Sequence, residues 1–137
     1  MRAESGASVR GVVLAAACAL GSCAAPTAEP DWLATLVSEI QAQAVTNPPS
    51  LIVGGDYGGT PVYYRAPYCC DIPGTVYSVE GSVICTADGG FTGKGDGRCP
   101  DFWATLKDCA VVWTDPRGKR TAGDPCLRTG TQRQLYE

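Results

Sequence analysis

Between Cys85 and Cys99 the chain carries Asp88-Gly-Gly-Phe-Thr-Gly-Lys-Gly-Asp-Gly-Arg98, with five glycines from Gly89 to Gly97. No other stretch restricts the fold as much. Five glycines in nine residues exclude a stable helix and an ordinary strand interior. Ordering such a loop costs much backbone entropy. A small protein that keeps one must hold it at both ends, and a cysteine stands on either side.

At 137 residues the chain is long enough for one domain, and its first segment reads as a leader. Arg2 and Arg10 supply a positive start, and Gly11 to Leu20 is an unbroken run of apolar and small residues. That run is too short to span a bilayer and suits a signal peptide. Leu20-Gly-Ser-Cys23 resembles a lipobox, which would make Cys23 the lipidated first mature residue. The alternative is a small-x-small site over Ser22-Cys23-Ala24, giving simple secretion after Ala24. The lipobox is preferred because Cys23 directly follows Leu-Gly-Ser. The expected organisation is a leader over 1–22, a tether over 23–30, one disulfide-rich domain over 31–127 and a flexible tail over 128–137.

Export agrees with the cysteine count. Eight cysteines fall to six once Cys18 leaves with the leader and Cys23 is lipidated or removed. Cys69, Cys70, Cys85, Cys99, Cys109 and Cys126 remain, an even set that reads as a disulfide framework. Neighbouring Cys69 and Cys70 are poor partners for each other, because a bridge between them strains the peptide. The expected pairing joins them to Cys85 and Cys99, with Cys109 joined to Cys126. Zinc is disfavoured, since there is no histidine and no C-x₂₋₄-C pair among these six cysteines. Loss of Arg2, Arg10 and Glu4 takes the net charge from −3 to about −4, a poor surface for nucleic acid. The basic cluster Arg117-Gly-Lys-Arg120 reads as a solvated turn.

Along the chain, Trp32, Leu33, Leu36, Val37 and Ile40 share one face of a helix expected over Asp31 to Gln43. Asn47-Pro-Pro49 ends it. Leu51 to Tyr57 and Thr60 to Tyr64 read as strands around a Gly58-Gly59 turn. Thr75 to Ser78 and Ser82 to Cys85 suggest a second hairpin. Pro100 to Lys107 suits a short helix, and Cys109 to Trp113 a further strand. The fold class is therefore α+β: an antiparallel sheet of four to five strands with one N-terminal helix, stabilised by disulfides.

Three segments resemble a family of small bacterial secreted proteins and lipoproteins known only as a domain of unknown function. They are Val62-Tyr-Tyr-Arg-Ala-Pro-Tyr-Cys-Cys-Asp71, the span from Ile84 through the glycine loop to Phe102, and Val112-Trp-Thr-Asp-Pro-Arg117. Asp31-Trp-Leu33 and Asn47-Pro-Pro49 fit as well. The resemblance implies an exported protein and supplies no catalytic residue.

Four roles compete for the loop. A nucleotide P-loop fails, because Gly93-Lys94 is followed by Gly95 and Asp88 stands where the first glycine belongs. Calcium would use Asp88, Asp96 and Asp101, although their spacing is not that of an EF-hand. A recognition loop would offer Lys94 and Arg98 to a partner. A purely structural loop would run its glycines close under Phe91, Phe102 or Trp103, with Asp88 and Asp96 closing local turns. Asp88, Lys94, Asp96, Arg98 and Asp101 are thus the candidate partner- or ion-binding set, with no catalytic and no firm metal residue.

Catalysis is poorly served without histidine, since no Ser-His-Asp or Cys-His pair is possible. The sequence therefore points to an exported, lipid-anchored, non-enzymatic interaction module without a cofactor. Its partner would be an envelope or extracellular protein, and it would touch the membrane through its lipid alone. The alternatives are a small envelope protease inhibitor or hydrolase, and a calcium-stabilised structural domain.

Overall fold

The computed structural model describes residues 29–69, 71–120 and 123–128. The leader, Cys23, most of the tether, Cys70 and the tail beyond Arg128 lie outside the described residues. The elements are α1 (Asp31–Gln41), β1 (Leu51–Tyr57), β2 (Thr60–Arg65), β3 (Gly74–Ser78), β4 (Val83–Asp88), α2 (Phe102–Thr105), β5 (Lys107–Thr114) and a 3₁₀ turn, Pro125–Arg128. The five strands form one antiparallel sheet in the order β4-β3-β2-β1-β5. The α+β expectation is met.

Both faces of the sheet are covered. On one face α1 sets Leu33 and Ile40 against Ile52, with Tyr63, Val112 and Trp113 around them. Trp32 stands edge-on to Tyr63, 5.4 Å between ring centres, and its indole N–H donates to the Val79 carbonyl at 2.7 Å. On the other face Leu51, Val53, Val62, Tyr64, Val76 and Cys85 meet Phe102, Leu106, Cys99 and Cys126. This two-sided cover explains why β1 opens as Leu-Ile-Val rather than as an alternating pattern. Residues 51, 52 and 53 are all buried, pointing to opposite faces in turn.

The β1–β2 hairpin turns at Gly58 and Gly59, both at positive φ, as the Gly-Gly pair led one to expect. α1 is two residues shorter than expected, and α2 is a single turn rather than the whole of Pro100 to Lys107. The second hairpin reaches further than its apolar run, to Asp88, because β4 continues to pair with Gly74.

The expected disulfide pairing is overturned in part. Cys109 joins Cys126 as expected, but Cys85 joins Cys99, so these two are not the partners of Cys69 and Cys70. The reason is topological: Cys85 points from β4 into the core, and the glycine loop folds back along β4 to deliver Cys99 to it.

The basic turn at the end of β5 is also not simply solvated. The Arg117 guanidinium donates to the carbonyls of Ile40 and Gln41, in the last turn of α1, and of Gln43 just beyond it. It also pairs at 2.6 Å with Asp115, which is only 1% exposed. Arg120 donates to the Pro49 carbonyl.

Trp32 sits at the β3–β4 turn, whereas the glycine loop leaves from the other end of β4, beside Ile72 and Pro73. The start of α1 and the start of the loop are thus at opposite ends of β4.

Candidate functional site

The glycine loop is built onto the exposed edge of β4. The Thr86 amide donates to the Asp96 carboxylate at 3.1 Å, and the Asp96 amide donates back to the Thr86 carbonyl at 3.2 Å. Gly95 lies flush against the strand: at φ +63, a Cβ there would collide with the Thr86 carbonyl. Gly89 and Lys94 form a parallel bridge that narrows the loop, and the Cys85–Cys99 disulfide closes it. Removing the bridge would relieve the unfolded chain of a constraint of about 2–4 kcal/mol. The glycines therefore do not pass under aromatic rings as the structural reading proposed. Gly95 lets the loop approach β4, and Gly89 lets it pass Ile72 and Pro73.

The candidate residues separate. Arg98 donates to the Asp96 carboxylate at 2.7 Å, and its own amide does so at 3.0 Å. These bonds, the amide's first, hold the Asp96 carboxyl below the usual carboxylate range. Asp88 reaches across to β2 and α2. Its two oxygens accept from the Tyr64 hydroxyl at 2.8 Å and the Trp103 indole N–H at 3.1 Å. Asp101 accepts from the Tyr57 hydroxyl at 2.8 Å, which raises that phenol above its ordinary 10.0. Among the described residues Lys94 makes no ion pair, and no group of three His, Cys, Asp or Glu could hold a metal ion.

Two features escaped the sequence reading. The first is Phe91. Rather than packing, it stands wholly in solvent at the loop tip, at 103% of its reference area. The second is a cleft of about 510 Å³ between the loop and α2, lined by Asp88, Gly93, Lys94, Gly97, Pro100 and Trp103. Tyr64 and Trp103 looked like ordinary core aromatics in sequence, and their link to Asp88 spans 24 and 15 residues. Trp103 packs edge-on against Tyr64 and Phe102, with ring centres 4.8 and 5.0 Å away.

Residues 38–115, more than half of the chain, match the family described as Domain of unknown function (DUF6970). The chain belongs to that family. The DUF6970 match takes in the whole sheet, the glycine loop, its disulfide and the cleft, and stops before Cys126. No curated protein and no solved structure matches the chain. The two disulfides suit an oxidising, extracellular setting. Among the described residues no helix is long and apolar enough to cross a membrane.

Proposed function

We propose that this DUF6970 protein is an exported, non-enzymatic binding module, held to a membrane by a lipid on Cys23, whose glycine loop engages an envelope or extracellular protein. The observation that carries this reading is Phe91, fully exposed at the tip of a loop whose base is fixed by a disulfide and by Asp96. An aromatic side chain presented on a pre-ordered base loses little freedom on binding and gains much apolar contact. Lys94 adds a cation three residues away, which favours a partner with an acidic rim beside an apolar pocket. The loop leaves β4 at the end away from Trp32, an arrangement that suits a chain tethered ahead of α1 and presenting Phe91 outward.

A catalytic role has less support. Among the described residues, the carboxyls of Asp96 and Asp115 are displaced downward by arginine partners, which favours ion pairing over acid catalysis.

The test is affinity capture from envelope extract with wild type, Phe91→Ser, Lys94→Glu and, as a surface control, Leu127→Ser. A partner retained by the control and lost by the two loop variants is expected. Equal capture by all four removes the loop from recognition. Membrane fractionation of Cys23→Ala tests the anchor separately, and unchanged membrane association refutes it.

A further inference from the structure

We infer that the cleft between the glycine loop and α2 binds a carboxylate-bearing sugar ring, of the uronic acid class. The site goes beyond recognition by Phe91: it shares Lys94 with that surface and adds Trp103. Its volume of about 510 Å³ is in the range of small-ligand pockets. One wall is the Trp103 indole. It is fixed in place by its N–H bond to Asp88 and by the flanking rings of Tyr64 and Phe102. A pre-fixed indole offers the apolar face of a sugar ring a surface that needs no ordering when the ligand arrives.

Charge then selects among sugars. Arg98 is committed to Asp96, and Asp88 has its two oxygens on Tyr64 and Trp103. Lys94 lines the cleft and makes no ion pair among the described residues. A ligand carboxylate would give its ammonium a charge-assisted partner. Gly93 and Gly97, also on the lining, would meet nothing within 4 Å if given a Cβ, so the walls beside Lys94 stay low and open.

An extended peptide fits this site less well. Peptides that lie along a sheet edge are bound through its free main-chain groups. Here the Thr86 amide and carbonyl are both taken by Asp96. The arrangement leaves an aromatic wall and a cation rather than a strand edge.

The experiment is titration of the purified full chain with trigalacturonate, with neutral maltotriose and a triglutamate peptide as comparison ligands, followed by the Trp103 indole N–H resonance. Trigalacturonate is expected to shift that resonance at millimolar concentration, and the comparison ligands are expected to leave it in place. Lys94→Gln should weaken binding about tenfold with an unchanged melting temperature, since Lys94 is exposed. Phe91→Ser should bind the sugar as wild type does, which separates this site from protein recognition. No shift at millimolar trigalacturonate overturns the inference, as does an equal response to maltotriose, an equal response to triglutamate, or unchanged binding by Lys94→Gln.

Discussion

Asp96 bonds both main-chain groups of Thr86, accepting from its amide and donating to its carbonyl. A neighbouring strand would make the same two bonds. The loop therefore closes the β4 edge of the sheet, which would otherwise be open to pairing with other chains. Asp96→Ala is expected to speed hydrogen exchange at the Thr86 amide by about tenfold or more, while exchange in β2 stays as in wild type. Exchange measured by mass spectrometry or NMR checks this, and an unchanged Thr86 amide would show that the carboxylate does not hold the edge.

Glycines of the same loop should differ sharply in tolerance. Gly97 has φ +76 in open space, so Gly97→Ala should cost about 1–2 kcal/mol for the backbone conformation alone. Gly95 has a similar φ, but a Cβ there meets the Thr86 carbonyl, which is fixed in the sheet. Gly95→Ala should cost clearly more, on the order of 3 kcal/mol or above. Urea denaturation of both variants gives the comparison, and equal costs would contradict close packing at Gly95.

The chain has two phenylalanines with opposite fates. Phe102 is 1% exposed and packs against the rings of Tyr57, Tyr64 and Trp103, whereas Phe91 is fully exposed. Phe102→Ala should cost roughly 3–5 kcal/mol, and Phe91→Ala should fall within about 0.5 kcal/mol of wild type. Thermal or chemical unfolding decides it. A large loss for Phe91→Ala would mean that the ring packs in solution.

Acid should weaken the molecule through Asp115 and Asp96. Both carboxyls are held below their ordinary 3.8, Asp115 chiefly by the Arg117 side chain and Asp96 by bonds from Arg98. A lowered folded value means the stabilisation is present above about pH 4 and is lost as pH falls through the folded values. Asp115→Asn should unfold at lower temperature at pH 7 and show a flatter stability profile between about pH 4 and pH 2. A wild-type slope in that window would exclude Asp115 as a source.

Arg117 should matter more than its exposed position suggests. It gathers the last carbonyls of α1 and the buried Asp115, so Arg117→Ala should lower the melting temperature several-fold more than Lys119→Ala. Arg117→Lys should recover little, because an ammonium cannot reproduce the planar set of donors. Equal melting temperatures for Arg117→Ala and Lys119→Ala would contradict this clamp.

The elements of the fold were legible locally. Helix periodicity from Trp32 to Ile40, the Gly58-Gly59 turn and the β-rich runs each carry their own signal, because they depend on residues within a few positions of one another. The tail disulfide, Cys109 to Cys126, was also within reach. The Cys85–Cys99 pair was not, since it depends on the loop folding back along β4, and loop direction leaves no periodic trace. For the same reason Asp88 looked like a turn residue or an ion ligand. Its partners, Tyr64 and Trp103, come from β2 and α2 and meet it only across the core face.

By itself the sequence determined that a glycine loop must exist between Cys85 and Cys99, that it could be neither helix nor strand, and that histidine-based catalysis was unavailable. Those conclusions follow from backbone freedom and side-chain chemistry, which are local properties. The tertiary structure decided what the loop rests on, which of its charges are already paired, and that Phe91 faces solvent while Phe102 is buried. These are matters of which segments the sheet brings together, and burial and pairing are properties of that assembly rather than of any single residue.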